Sequence, residues 1–208
     1  MKREAAISVK LRSMDAVLFV ALAAMLAWTL PALPAETDDG ARILIAQPQL
    51  QDEVFGSTIL FVKSMPDGSS LGFILNKPTP VTLGQLFPGD DPSRKVVEPV
   101  FLGGPIETDM IVALVKRHDS PGEGSIRLAP DLFLVVNRET VDRIIESDSG
   151  HARFYAGVVV WRPGELDAEL ERGFWFEMEP DVQLVFSKNT DGLWQELVNR
   201  SEMAKHGI

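Results

Sequence analysis

The sequence contains no cysteine, and this absence excludes several kinds of site. Disulfide bonds, thiolate nucleophiles and cysteine-ligated zinc all need a sulfur atom that the chain does not have. The same absence is compatible both with export and with the cytoplasm, so it leaves the cellular compartment open.

Positive charge is also scarce. The chain carries 20 lysines and arginines against 30 aspartates and glutamates, which gives a net charge of −10. Phosphate backbones are bound mainly through Lys and Arg contacts that release counterions. This composition disfavours nucleic acid as a partner unless basic residues cluster in space.

Histidines are few as well, and none of the three stands at a spacing typical of metal ligands. We therefore expect no metal and no other cofactor. His118 neighbours Asp119, and this pair would act as a base and its orienting group only with a nucleophile from elsewhere. A solvated loop histidine is the simpler interpretation.

The longest apolar run lies near the N terminus, at 16–30. Four basic residues precede it and the sequence PALPA follows it, which is the order of a secretory signal peptide. A membrane-spanning helix usually needs about 20 apolar residues, so this run is short for a permanent anchor. However, cleavage after Ala35 would leave the large Leu33 at a position that usually holds a small residue.

Residues 1–35 are therefore predicted to be a signal peptide, with an uncleaved membrane anchor as the alternative. Positive charge ahead of the run places the rest of the chain outside the cytoplasm in both cases. We expect an exported, periplasmic protein, or one anchored in the inner membrane with its domain outside the cytoplasm. Membrane contact would then run through 16–30.

The remainder of the chain predicts one α+β domain at 42–203, between a linker at 36–41 and a tail at 204–208. Short β-rich runs broken by turn residues alternate with a few segments of helical periodicity. The predicted strands are 43–46, 58–63, 71–75, 100–102, 110–115, 132–136, 154–160, 174–177 and 182–186. The predicted helices are 82–87, 138–147 with Asn137 as N-cap, 165–170 and 191–204.

Four motifs occur in order along this domain. They are LIAQP at 44–48 followed by Gln51 and Asp52, LGFILNKP at 71–78, FLGGP at 101–105 and WRPGEL at 161–166. Together they resemble the YqgE/AlgH family of bacterial proteins over about 42–202. The resemblance implies an α+β fold whose antiparallel strand meanders form a curled, pseudo-barrel-like sheet with a few short helices. It implies no reaction, because that family has no established biochemical activity, although members have been labelled transcriptional regulators.

The glycine pair Gly103-Gly104 is the first candidate ligand site. Successive glycines can adopt positive φ and expose backbone N–H groups as an anion-binding nest. A tight turn between two strands uses the same freedom. We favour the turn, because no lysine or serine follows the pair as in phosphate-binding loops.

Four further residues are candidates for ligand binding. Gln51 and Asp52 follow the first strand and would either contact a polar ligand or cap a nearby turn, of which capping is the simpler role. Asn76 ends a predicted strand beside the cation of Lys77. Trp161 would either fill the core or line a groove beside Arg162.

Two other patterns have simple structural interpretations. Residues 68–72 match the G-x-S-x-G pattern of a nucleophile elbow, but that elbow needs a strand, a turn and then a helix. A β-rich segment follows here, so we interpret Ser70 as a turn residue. The acids Glu165, Asp167, Glu169 and Glu171 recur along one short predicted helix and are interpreted as its solvated face.

These features favour a non-enzymatic binding, accessory or regulatory module with an unknown protein or small-molecule partner. The first alternative is a hydrolase-like enzyme that acts on a small polar substrate, with carboxylates and His118 as acid and base. The others are a transcriptional regulator, as family members are labelled, and a structural protein whose exposed sheet edge pairs with another chain.

Overall fold

A computed structural model describes residues 40–207 of the chain. In this part of the chain the strands are β1 (Ala41–Ala46), β2 (Ile59–Ser64), β3 (Ser70–Ile74), β4 (Pro78–Thr82), β5 (Pro99–Leu102), β6 (Ile106–Lys116), β7 (Ser125–Ala129), β8 (Leu132–Val135), β9 (Ala152–Trp161) and β10 (Trp175–Met178). The helices are α1 (Leu83–Leu86), α2 (Arg138–Ser147), α3 (Glu165–Glu171), α4 (Val182–Val185) and α5 (Leu193–His206). Single 3₁₀ turns lie at Ser93–Lys95 and Ser149–His151.

The ten strands form one curled, half-barrel sheet with the order β10-β1-β2-β3-β9-β6-β8-β7. β4 and β5 lie off this path, where β4 pairs with β5 and β5 pairs with β9. Every pairing is antiparallel except that of β5 with β9, which is parallel. The α+β fold predicted from the sequence is thus confirmed.

The centre of the sheet is β9, which pairs with three other strands. β6 lies along one edge, from Ala152 to Val158. The other edge is shared by β5, which pairs at Tyr155, and β3, which pairs from Val159 to Trp161. Because three strands meet it, β9 connects the two halves of the sheet.

Alternation along the strands divides the buried side chains into separate clusters. In β1, Ile43 and Ile45 join the largest cluster beneath α5, whereas Leu44 and Ala46 join a cluster against α3 on the opposite face. A third cluster packs α2 against β6, β8 and β9. Side chains of a strand point alternately to its two faces, so both faces of the sheet are covered by helices.

Helix α2 forms where the sequence predicted it. The Asn137 side chain accepts a hydrogen bond from the Thr140 N–H at 3.0 Å and so caps the first turn. Val141, Ile144 and Ile145 are buried along one face of this helix. The N-cap and the helical spacing therefore marked this element correctly.

The strand predicted at 182–186 is wrong, because this segment forms helix α4. The Asp181 side chain accepts a hydrogen bond from the Gln183 N–H at 2.8 Å, and Asp181 is the N-cap of the helix. A short apolar run does not show by its periodicity whether it is a strand or a buried helix.

Two strands were not predicted, β4 and β7. β4 contains Pro78 and Pro80, and its only partner strand in the described chain is β5. Proline is tolerated at such edges because one side of an edge strand faces no neighbouring strand, so its backbone N–H groups are not needed as hydrogen-bond donors there. β7 is the outermost strand and pairs irregularly with β8.

At the C-terminal end of the domain, α5 ends at His206, inside the segment predicted as a tail.

Between residues 40 and 207, no helix has both the length and the apolar character needed to cross a membrane. The predicted signal peptide or anchor at 1–35, and the linker residues up to 39, lie outside the described residues.

Candidate functional site

Gly103 and Gly104 form a backbone crossing and not the predicted turn between paired strands. β5 and β6, which flank the glycines, do not pair with each other but lie along opposite edges of β9. The chain therefore passes across β9 between them. A Cβ atom on Gly103 would collide with the carbonyl oxygen of Gly157, and one on Gly104 with that of Val158. Only glycine allows two backbones to approach this closely.

The sheet uses the backbone groups of Gly103. Its N–H donates to the Ala156 carbonyl at 2.9 Å, and its carbonyl accepts from the Ile74 N–H at 2.9 Å. Both glycines of the pair are buried. These bonds leave no free N–H on Gly103 for an anion, so the close approach of two strands accounts for the motif.

Asn76 and Lys77 fasten the loop that precedes β2. The Asn76 side chain accepts from the Ile59 N–H at 2.8 Å and donates to the Ser57 carbonyl at 2.9 Å. The Lys77 Nζ donates to the Val54 carbonyl at 2.5 Å. Partial burial lowers the pKa of Lys77, and the negative charge of Asp52 opposes this shift.

Asp52 caps the turn in the same loop. One of its carboxylate oxygens accepts from the Val54 and Phe55 N–H groups, both at 2.8 Å. The neighbouring side chain of Gln51 is exposed. The structure thus brings Gln51, Asp52 and Asn76 to one loop. The side chains of Asp52 and Asn76 are already hydrogen-bonded to backbone groups of that loop.

Trp161 lies in the core and does not line a groove. It is 4% exposed, and its indole N–H donates to Glu169 at 3.1 Å. The indole N–H of Trp175 donates to the same carboxylate oxygen at 2.8 Å. The interpretation of Glu169 as part of a solvated face is therefore wrong, because it satisfies two indole donors at the sheet surface.

The two apparent catalytic patterns of the sequence are also resolved. Ser70 is the first residue of β3 and is followed by strand residues, so it lies neither in a turn nor ahead of a helix. His118 is exposed and pairs with Asp131 at 2.6 Å. Neither residue occupies the geometry of a nucleophile elbow or of a His118-Asp119 pair.

A cavity at the start of β9 was not predicted. Its volume is about 350 Å³, and we refer to it as the basic pocket. It lies among the segment before β5, the end of β6, the turn before β9 and the segment after α4. Its lining residues are Lys95, Val96, Val97, Glu98, Lys116, Ser149, Gly150, His151, Ala152, Arg153, Phe186 and Lys188.

The charge of the basic pocket contrasts with that of the whole chain. Among residues 40–207, four basic side chains line it, but only one acidic side chain does. Lys95, Lys116 and Lys188 are exposed and form no ion pair with any residue between 40 and 207. Cations that repel one another are thus gathered around one cavity of an acidic protein.

Arg153 is the buried member of this group. Its side chain is 3% exposed and donates to the Val185 carbonyl at 2.6 Å and to the Ser187 carbonyl at 2.9 Å. Its guanidinium carbon lies 4.3 Å from the centre of the Phe101 ring, a cation–π contact. The Nε atom is buried and has no hydrogen-bond partner among the described residues. Glu98, the one acid that the described part of the chain contributes to the lining, lies 3.9 Å from the guanidinium.

A second acid near the basic pocket is already engaged. One Asp148 oxygen lies 2.8 Å from His151 Nδ1, and the other lies 3.6 Å from Arg117. This carboxylate therefore adds little free negative charge to the cavity. Within residues 40–207, no cluster of three or more histidines and carboxylates could hold a metal ion.

Sequence reasoning missed the basic pocket because its four cations are far apart in the chain. Positions 95, 116, 153 and 188 share no motif or spacing, and the sheet topology brings them together. One signal was present: Arg153 immediately precedes the apolar β run predicted at 154–160. A charge at the start of a buried strand needs a specific partner, so its position is informative.

Comparison with known proteins places this fold in a family. The sequence model of a family described as AlgH-like matches residues 43–206. The chain belongs to the AlgH-like family. This confirms the resemblance drawn from the four motifs.

Relatives of this AlgH-like chain carry names that state no activity. A UPF0301 protein of Chlorobaculum tepidum is 29% identical over 160 residues, covering 76% of this chain and 83% of that protein. A UPF0301 protein of Streptomyces coelicolor is 32% identical over 168 residues, covering 76% and 84%.

Two solved structures share the fold of the AlgH-like chain. The AlgH protein of Pseudomonas aeruginosa has a TM-score of 0.63 at 21% identity, covering 81% of this chain and 88% of that one. Protein DIP2367 of Corynebacterium diphtheriae has a TM-score of 0.63 at 22% identity, covering 78% and 86%. At this identity the likeness extends to the fold alone.

Proposed function

We propose that this AlgH-like chain is a non-enzymatic binding module whose ligand is a small anion held in the basic pocket. The observation that carries the proposal is the nearly buried Arg153, which lines one cavity together with three lysines that form no ion pair with an acid at 40–207. An anion in the cavity would relieve the mutual repulsion of these four cations.

The surrounding charge makes this cluster a specific feature. The chain has a net charge of −10, so acidic side chains outnumber basic ones. A surface lysine would therefore be expected to have an acidic neighbour. The excess of cations in the basic pocket therefore runs against the composition of the chain. A local field of this sign attracts small anions and raises their concentration at the cavity.

The test is a titration of the chain with small carboxylates, sulfates and phosphates, followed through its backbone amide NMR signals. We expect at least one anion to shift the amides of Val97, Gly150 and Ala152 in a saturable manner. The double variant Lys95→Gln and Lys188→Gln should weaken this binding about tenfold or more, because two attractive charges are lost.

The matched control is Lys205→Gln, which removes one exposed positive charge from α5, outside the lining of the basic pocket. This variant should bind the anion as the parent chain does. If no anion shifts the pocket amides at millimolar concentration while the protein is folded, the binding proposal is wrong.

A second candidate function is hydrolysis of an anionic substrate in the same pocket. It is favoured by the Asp148-His151 pair, whose 2.8 Å contact would orient the imidazole as a general base for water. Turnover of an anionic ester that is lost in a His151→Gln variant, with ligand binding retained, would select the enzyme over the binding module.

We also propose that the chain is exported, on the basis of the signal-like residues 1–35. Cell fractionation and the intact mass of the product test this directly. A soluble periplasmic species that begins near Glu36 would support cleavage, and a full-length membrane species would support a tether. A full-length cytosolic species would contradict export.

A further inference from the structure

We infer that the ligand of the basic pocket is a small phosphate monoester, a conclusion that rests on the proposed function. Lys95, Lys116, Lys188 and Arg153 face a single acid, Glu98, so the lining carries three positive charges in excess. A phosphate monoester is close to a dianion at neutral pH, since its second pKa is about 6. It therefore neutralises more of this excess than a carboxylate or a sulfate ester does.

The geometry of Arg153 disfavours a carboxylate as the preferred ligand. Arginine usually binds a carboxylate through two parallel N–H bonds. Here both terminal nitrogens of the guanidinium already donate to the carbonyls of Val185 and Ser187. Each terminal nitrogen keeps one further N–H, but the Nε atom is buried and is not exposed to a ligand in the cavity.

The three lysines suit a tetrahedral oxyanion instead. An ammonium group is a compact charge with three rotatable donors on a flexible stem, so it can approach an oxygen from many directions. Lys95, Lys116 and Lys188 reach the cavity from three separate segments of the chain. Together they can contact several phosphate oxygens at once, beside the positive charge of Arg153.

The rest of the lining fits an organic group attached to the phosphate. Val96, Val97, Ala152 and Phe186 supply apolar surface beside the cations, and Val97 is 84% exposed. A volume of about 350 Å³ is at the small end of the range for ligand pockets, yet it exceeds the needs of a free phosphate ion. The cavity thus suits a phosphate ester of a small molecule.

The experiment compares phenyl phosphate with phenyl sulfate and benzoate, by calorimetry and by amide shifts on the same sample. Phenyl sulfate has a similar shape but a single negative charge, and benzoate presents a planar carboxylate on the same ring. We expect phenyl phosphate to bind at least about tenfold more tightly than either analogue near pH 7.5, because of its second charge.

Two substitutions in the lining should act in opposite directions. Glu98→Gln removes the only acid of the cavity and should raise the affinity for phenyl phosphate about threefold or more, which a loss of folding could not imitate. Lys188→Gln should lower it by a similar factor. Lys205→Gln is the control and should leave it unchanged.

Each outcome decides a different question. If benzoate or phenyl sulfate binds at the pocket amides as tightly as phenyl phosphate, the phosphate class is wrong and the binding module stands. If none of the three probes shifts those amides while a smaller anion does, the phosphate monoester is wrong and the binding module stands. Phenyl phosphate binding that neither Glu98→Gln nor Lys188→Gln alters would place its site elsewhere and overturn the inference.

Discussion

At the scale of single residues, the core contains a polar group without a partner. The Tyr155 hydroxyl has no described partner with good hydrogen-bond geometry, although the Arg153 side chain lies near it and the Tyr155 ring packs against Phe73 and Phe101 at 5.8 Å between ring centres. Burial raises the pKa of Tyr155, and the nearby charge of Arg153 only partly opposes this shift. The folded state thus strongly favours the neutral phenol.

This shift predicts how the protein behaves in alkali. The folded pKa lies above the unfolded value of about 10, so the folded state keeps its proton longer and stability falls as pH rises past about 10. Tyr155 is the single tyrosine of the chain, so tyrosinate absorbance reports on it alone. We expect this absorbance to appear together with the loss of circular dichroism, and ionisation in the folded protein near pH 10 would contradict the prediction.

The companion variant is Tyr155→Phe, which keeps the ring and removes the unpaired hydroxyl. A buried donor without a partner costs about 1 to 3 kcal/mol, so the variant should be as stable as the parent or more stable. Urea unfolding monitored by fluorescence gives the comparison. A marked loss of stability would mean that the hydroxyl has a bonding role.

Glu169 offers a second prediction at this scale. Glu169→Ala would leave the indole N–H groups of Trp161 and Trp175 without their acceptor and should cost about 2 to 3 kcal/mol in urea unfolding. Glu169→Gln keeps one acceptor oxygen and should cost less. The control is Asp167→Ala on the same helix, where the side chain is exposed and a change within about 0.5 kcal/mol is expected.

At the scale of elements, the sequence predicted those whose signals are local. Helix α2 has its N-cap and its buried stripe within a dozen residues, and β1 to β3 are apolar runs bounded by turn residues. The apolar run 182–186 was misassigned because the deciding group, Asp181, lies just outside it. β4 and β7 were missed because edge strands need few apolar residues.

The crossing of β9 could not be read from the sequence for a different reason. A Gly-Gly pair is compatible both with a hairpin turn and with a crossing of two backbones. Only the pairing of β9 with both β5 and β6 shows that the pair forms a crossing here. The basic pocket is non-local in the same way. Its lining comes from four segments, so its charge is visible only after the sheet is assembled.

The crossing predicts a strong effect of a single methyl group. Gly104→Ala would force the backbones of Gly104 and Val158 apart and should destabilise the fold by about 3 kcal/mol or more. Gly89→Ala is the control, because a Cβ atom there would meet no atom within 4 Å. Denaturant midpoints of the two variants test this, and equal midpoints would refute the close approach.

At the scale of the whole molecule, acidic charge dominates and the cations of the basic pocket are a local exception. The net charge of −10 should repel the phosphate backbone of duplex DNA. We therefore expect no mobility shift of duplex DNA at about 0.15 M salt, where the Debye length is about 8 Å. A shift that disappears in the Lys95→Gln, Lys188→Gln double variant would show that the pocket recognises nucleic acid instead.

The position of β9 also determines when this domain can fold during synthesis. β3, β5 and β6 all pair with β9, which follows the glycine crossing by about 50 residues. Until β9 has left the ribosome, those three strands present open edges and the crossing has no strand beneath it. Sheets built from such distant pairings fold slowly, and their open edges are sites of aggregation. The nascent chain should therefore depend on chaperones until β9, which ends at Trp161, has emerged.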